Sequence, residues 1–219
     1  MSSIKPAGDR SSSSTRIRIL ESAFALFRRR GLAALTMAEV AGAAGISRQA
    51  LYLHFGTRAH LLVEMIRWRD EVSGISERIS EALRSVSSAR ALGIYVRTWC
   101  DYVAEILPIV TIFSAAAVTD PDAAAVWRER MGFLRDRGRS RVIERLAADG
   151  LLAEGWTIDE AADWLWSQIH PDNWRHLVEE ARWSKKRYVD RLVGALHSVL
   201  IRPDALLRAN KARRRSTRN

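Results

Sequence analysis

Apolar residues in this chain recur at three- and four-residue steps almost from end to end, and that periodicity excludes most architectures before any single residue is considered. Ile17, Leu20, Phe24 and Phe27 form one such stripe. Leu61, Met65, Trp68, Val72, Ile75, Ile79 and Leu83 form a longer one, about six turns on one helix face. No run of four or more residues alternates in a strand pattern bounded by turns, and no repeat recurs at solenoid or propeller periods. Twelve Gly and five Pro among 219 residues are too few for a β fold with many tight turns. The expected class is all-α.

Cap and breaker residues divide the pattern into helices. The Ser-rich residues 1–13 read as a disordered arm. A first helix is expected over 15–30, stopped by Gly31. Thr36-Met-Ala-Glu39 has the spacing of a capping box, and Gly45 can supply the positive φ that ends the short helix it opens. Ser47 caps a third helix to about residue 55, and Thr57 a long fourth one reaching the Ser-rich residues 85–88. A fifth is expected from 89 to 107, with Pro108 restarting a shorter helix. Asp120-Pro121 opens another to about 148, Thr157-Ile-Asp-Glu160 is a second capping box, and Ser184 caps the last long helix. The domain reading is an arm at 1–13, a small N-terminal head at 14–62, a larger helical body at 63–205 and a basic disordered tail at 206–219.

The charge is unevenly placed. Residues 1–68 carry ten Lys/Arg against four Asp/Glu, and residues 208–219 carry six basic residues and no acidic one, while the middle is close to neutral. A basic head on a neutral bulk points to a module that meets a polyanion and a module with another task. The longest uncharged runs fall short of the roughly 18 apolar residues of a membrane span, and the N-terminus lacks the apolar core of a secretory signal. A single cysteine, Cys100, permits no intrachain disulfide. A cytoplasmic protein with no membrane partner is the expectation. No Gly-x-Ser-x-Gly, Walker loop or dinucleotide fingerprint supports an enzyme, and His60, His170, His176 and His197 lack metal-ligand spacing, so no cofactor or metal is expected.

Residues 36–55 have the design of a helix-turn-helix. Two short helices meet at a tight turn containing Gly45; Ala41 permits a close crossing, and Val40, Ala44, Ile46 and Leu51 point inward to fix it. The outer face of the second of these helices then carries Arg48, Gln49 and Tyr52. Arginine can bond a guanine edge and glutamine an adenine edge bidentately in a major groove. Thr36, Ser47, His54 and Arg58 stand at helix ends, where groove walls would lie, and hydroxyls, imidazole and N-terminal amides suit phosphate. Arg16, with Arg10 and Arg18, adjoins this head and could reach a flanking minor groove. The tail residues Lys211, Arg213, Arg214, Arg215 and Arg218 could add only sequence-independent affinity.

The stretch from residue 16 to 62, above all GISRQALYLHF followed by a cap, a basic residue and a Leu pair, resembles the tetracycline-repressor (TetR) family of bacterial regulators. Residues 157–201 resemble the C-terminal domain of some members. Gly42 departs from the pattern, costing about 1 kcal/mol against Ala inside a helix, as do Gly56 and Arg58. The resemblance implies a homodimer, usually a repressor, whose third helices enter successive major grooves of a near-palindromic double-stranded operator. It implies that the body forms the dimer and encloses a small-molecule effector, and that the long fourth helix transmits release. An activator or a regulator sensing a protein partner fits the residues too. A helical enzyme and a nonspecific nucleic-acid-binding protein are remoter alternatives.

Trp99, Tyr102, Ile106, Phe113, Trp127 and Met131 fall where relatives build pockets, and would suit an apolar or aromatic effector; the competing reading is plain bundle core. Val189, Leu192, Val193, Leu196, Val199 and Leu200 form a stripe on the last helix, which Trp164, Leu165 and Ile169 could join. A dimer interface is the expectation there, and a buried intrachain face the alternative.

Overall fold

The computed structural model describes residues 7–84 and 86–203, with side chains from Ser13 onward. The first six residues of the expected arm and the expected tail at 206–219 lie outside the described residues. All regular elements among the described residues are helical, and the one strand-like contact is an isolated antiparallel bridge between Leu152 and Ile201.

Helix α1 spans Ala7–Arg30 and begins inside the stretch read as an arm. Serine lowers helix propensity by only tenths of a kcal/mol per residue, and no Gly or Pro stands between Asp9 and Arg30 to stop the helix. Its buried face is Ile19, Leu20, Ala23, Leu26 and Phe27, rotated from the expected stripe, while Ile17 is exposed. Gly31 ends it at φ 77°. Helices α2 (Met37–Ala44) and α3 (Arg48–His54) follow.

Helix α4 (Arg58–Ser73) ends at Gly74, and α5 (Ile75–Leu83) starts at once. This corrects the single long fourth helix. Gly74 adopts φ 65° and its N–H bonds Glu71 O, a left-handed stop that leaves the apolar spacing intact while ending the helix. Val72, placed inside the continuous stripe, is exposed.

Helix α6 runs unbroken over Ser88–Ala116 with Pro108 inside it, which corrects the expected restart. Proline in a helix interior removes one hydrogen bond and costs about 3 kcal/mol. Burial of Tyr95, Val96, Trp99, Tyr102, Val103 and Phe113 along the same helix outweighs that. By length and composition α6 could cross a membrane, its best window having mean hydropathy 1.3, although no uncharged run in the sequence is that long. It carries Arg97 paired with Asp190, Asp101 with Lys185 and Glu105 with Arg78, so one edge of it bears charged pairs.

Helix α7 (Pro121–Gly138) continues through a π segment, Arg139–Ile143, into α8 (Glu144–Ala148). Helix α9 (Ile158–Gln168) has both halves of its capping box, Thr157 and Glu160 each bonding the other's backbone N–H. Helix α10 (Pro171–Trp174) continues as a π segment, Arg175–Glu180, and α11 (Lys185–Leu200) is capped by Ser184, whose hydroxyl accepts from the Arg187 N–H.

The described residues fall into two compact units. The first joins residues 7–74 to 111–129. In it α1 packs on α2 and α4, and Phe27 meets Phe113 with ring centroids 5.6 Å apart. The second joins residues 75–110 to 130–203. Its core gathers Ile79 of α5, Tyr95 and Val96 of α6, Leu165 of α9 and Leu196 of α11. Trp174 and Tyr188 pack edge to face there at 5.5 Å.

Candidate nucleic-acid interface

The turn between α2 and α3 is closed by the backbone itself. Gly45, at φ 65°, donates its N–H to Gly42 O at 3.2 Å, and Ile46 N–H reaches Ala41 O at 3.0 Å. These are the two bonds of a Schellman motif, which needs a residue at positive φ between them. Thr36 Oγ1 accepts from the Glu39 N–H at 3.2 Å, and Ser47 Oγ accepts from the Ala50 N–H at 3.0 Å. The returning half of the first expected capping box is not made, because the Glu39 carboxylate takes Arg30 Nη1 at 2.9 Å instead. Val40, Ala41, Ala44, Leu51 and Phe55 are buried and Ile46 is half-buried, so α3 is pinned by its inner face.

The outer face of α3 presents Arg48, Gln49 and Tyr52 to solvent. Thr36 and Ser47 are exposed at the helix starts; a hydroxyl that accepts from an amide still has its hydrogen to donate. His54 is half-buried at the end of α3. Leu53 is 85% exposed on the same helix, although a leucine flanked by Tyr52 and His54 in an apolar run suggests core by composition. Apolar side chains on a reading helix can meet the thymine methyl group.

Arg16, expected near a flanking minor groove, and Arg58, expected at a phosphate, have their guanidinium groups bonded within the first unit. Arg16 lies within α1 rather than on an arm. Its Nη1 donates to His54 O at 3.0 Å, its Nη2 to Glu64 Oε2 at 2.6 Å, and its guanidinium stacks 4.3 Å over the Phe55 ring. It thereby satisfies a C-terminal carbonyl of α3. Burial raises the Glu64 pKa, but the hydrogen bond and charge of Arg16, with Arg67, outweigh it and hold the carboxyl below its ordinary range. Arg58 donates from Nε to Leu35 O at 2.7 Å and from Nη1 to Asp120 and Asp122 at 3.0 Å.

In the second unit Trp99 and Tyr102 are buried with rings 6.0 Å apart, and Trp99 Nε1–H donates to Ile169 O at 2.9 Å. Ile106 packs partly buried on the same core, and Met131 is half-buried. Phe113 and Trp127 belong to the first unit, so the six residues expected around one pocket are divided between the two. Cys100 is buried, and burial pushes its thiol up to about 12. Among the described residues no three of His, Cys, Asp or Glu converge as a metal site requires. Among the described residues the Tyr95 hydroxyl, the Trp166 Nε1 and the His197 Nε2 are buried without a hydrogen-bond partner.

Most of the stripe expected at a dimer interface packs within its own chain. Leu165, Ile169, Val189, Leu192, Val193, Leu196 and Leu200 are buried in the core of their own unit, and Val199 packs against it. Gly93 is what lets α11 approach α6: a Cβ there would lie 3.3 Å from both Val193 and His197 side chains. Of the nine residues only Trp164 is exposed. It stands 6.0 Å from Trp156 along an open groove of about 560 Å³, lined also by Arg135, Glu160, Asp163, Trp166 and Ser167.

Residues 19–65 match the family model described as bacterial regulatory proteins, tetR family. The chain is 28% identical over 180 residues to the HTH-type transcriptional regulator CymR of Pseudomonas putida, covering 79% of this chain and 82% of that one. Solved structures share the fold. One from Rhodococcus sp., assigned to the TetR family, superposes with TM-score 0.67 at 21% identity, over 86% of this chain and 99% of the other. The regulator FadR of Bacillus subtilis, solved with stearoyl-CoA, superposes with TM-score 0.60 at 14% identity, over 83% and 97%. The pinned reading helix and the match over residues 19–65 make the head of this chain similar to that of the bacterial tetR regulators, and over most of its length the chain resembles a transcriptional regulator in sequence and solved TetR-family structures in fold.

Proposed function

We propose that the protein is a cytoplasmic repressor that binds a near-palindromic duplex operator as a homodimer and leaves it when a small apolar or aromatic effector binds the body. The observation that carries the reading is the exposed face of α3, with Arg48, Gln49 and Tyr52 on a helix whose opposite face is fully packed. Arg48 and Gln49 read base edges, Leu53 meets a methyl group, and Tyr52, Thr36, Ser47 and His54 meet backbone phosphates. Arg16 and Arg58 hold the head's shape. The stearoyl-CoA held by FadR is consistent with an apolar effector, and the buried Tyr95 hydroxyl and His197 nitrogen are groups a ligand's polar end could satisfy. The partner copy is proposed to meet the exposed side of α9 around Trp164.

Selection of bound DNA from a random duplex pool at physiological salt tests this. Enrichment of a near-palindrome with half-sites about one helical turn or slightly more apart is expected. Binding that enriches no sequence and vanishes as salt rises refutes it.

A further inference from the structure

Arg58 is the first residue of α4, and a helix start is an unfavourable place for a cation, because the unpaired amides there already carry positive partial charge. Its surroundings compensate. Nε donates to Leu35 O at 2.7 Å and Nη2 to Leu32 O at 3.4 Å. Nη1 donates to both oxygens of Asp120, at 3.1 and 3.0 Å, and to Asp122 Oδ2 at 3.0 Å. The Arg58 and Asp120 side chains are 21% and 28% exposed. Asp120 also accepts from the N–H groups of Asp122 and Ala123, so one carboxylate both caps α7 and grips Arg58.

The partners of this guanidinium lie at two informative places. Leu32 and Leu35 belong to the short 3-10 segment and turn immediately before Thr36, the cap of the first helix of the helix-turn-helix. Asp120 ends the turn from α6 and caps α7, and Asp122 stands in the first turn of α7; both helices continue beyond the first unit into the second. Two carboxylates against one guanidinium leave the spot with excess negative charge, which repels a phosphate. We propose that Arg58 is a positioning residue that ties the α6–α7 turn to the backbone leading into α2, and that it sets how the reading helix is presented rather than touching DNA. The proposal rests on the assignment of the head as a DNA reader. Its content is that a shift of α6 against α7 reaches the helix-turn-helix through this cluster.

The test uses the full-length protein and, as probe, the duplex that the parent selects from a random pool. Asp120→Asn with Asp122→Asn removes both charges while keeping a good helix cap. Removing negative charge ordinarily tightens DNA binding, and a phosphate-contacting Arg58 set free would tighten it further. The positioning role predicts the opposite sign: about three- to thirtyfold weaker binding, the range of mutations that perturb coupling. Arg58→Gln should weaken binding similarly with no change in the slope of log affinity against log salt, whereas loss of a phosphate contact lowers that slope by about 0.9. The triple variant should be no weaker than Arg58→Gln alone, since all three changes break one cluster. Arg58→Lys keeps the charge but lacks the fork that spans carbonyls and carboxylates, so it should fail to rescue. It also serves as the milder variant if the others lose helicity at the assay temperature. Tighter binding by the double Asn variant, a lowered salt slope in Arg58→Gln, or full rescue by Arg58→Lys overturns the proposal. A parent that enriches no sequence overturns the head assignment and this proposal with it.

Discussion

Two glycines three residues apart in the head offer a test of the turn geometry with one chemical change. At Gly45 and at Gly42 an added Cβ meets nothing within 4 Å, so neither alanine substitution creates a clash and only backbone conformation differs. Gly45 sits at φ 65°, ψ 37° and joins α2 to α3. An alanine there bears about 1–2 kcal/mol of left-handed strain, offset by about 0.4–1 kcal/mol from the stiffer unfolded chain. Gly45→Ala should therefore destabilise the head by about 1 kcal/mol. Gly42 lies in the exposed interior of α2, where alanine gains about 0.5–1 kcal/mol. The readout is native-state amide exchange at Val40 and Leu51, whose N–H groups bond Thr36 O and Ser47 O in the first turns of α2 and α3. Protection should fall about fivefold in Gly45→Ala and rise by up to about fivefold in Gly42→Ala. If both substitutions move protection in the same direction, the left-handed turn is not what joins these helices and the reasoning fails.

Four further outcomes follow from the geometry. Arg48→Ala or Gln49→Ala should relax base preference by about 1–3 kcal/mol at one position of the selected duplex, whereas Tyr52→Phe should weaken all sequences about equally; binding to singly substituted duplexes separates the two. Leu165→Ala empties a fully buried site beside Gly138 and should cost about 2–5 kcal/mol. Trp164→Ala should leave melting nearly unchanged and instead raise the dimer dissociation constant in sedimentation. Burial, and then the charge of Arg97, push the His197 imidazole below its ordinary range. The native body therefore binds this proton less readily than the unfolded chain, where histidine titrates near about 6.5, so stability is full above that pH and declines below it. His197→Gln should flatten the decline between pH 7.5 and 5.5 in urea titrations, and an unchanged slope would show that the imidazole does not titrate on unfolding.

Much of the fold was legible because caps and apolar spacing are local. The Thr36, Ser47, Thr157 and Ser184 caps act where their spacing places them, since a cap bond spans three residues and needs no tertiary partner. The misreadings at Gly74 and Pro108 share a cause. A glycine inside a helical pattern is compatible with continuing or stopping, and a proline with stopping or being overridden by core burial; tertiary packing decides both. At the start of α1 composition points the other way: the polar run suggests an unfolded arm, while helix propensity carries it into the helix from Ala7.

The site divides along the same line. Arg48, Gln49 and Tyr52 were legible because facing outward is a property of one helix and its period. Whether Arg16 and Arg58 face DNA depends on groups 38–64 residues away along the chain: His54, Glu64, Asp120 and Asp122. Nothing in the local pattern distinguishes an arginine with a free head from one held by distant carboxylates. The apolar stripe of α11 shows the same limit, because core and interface have identical composition, and only the close approach permitted at Gly93 turns Val193 and its neighbours inward. A helix-turn-helix can thus be recognised by what it exposes. What would control it lies in long-range contacts, and among the described hydrogen bonds of the first unit the one joining the most distant residues runs through Arg58.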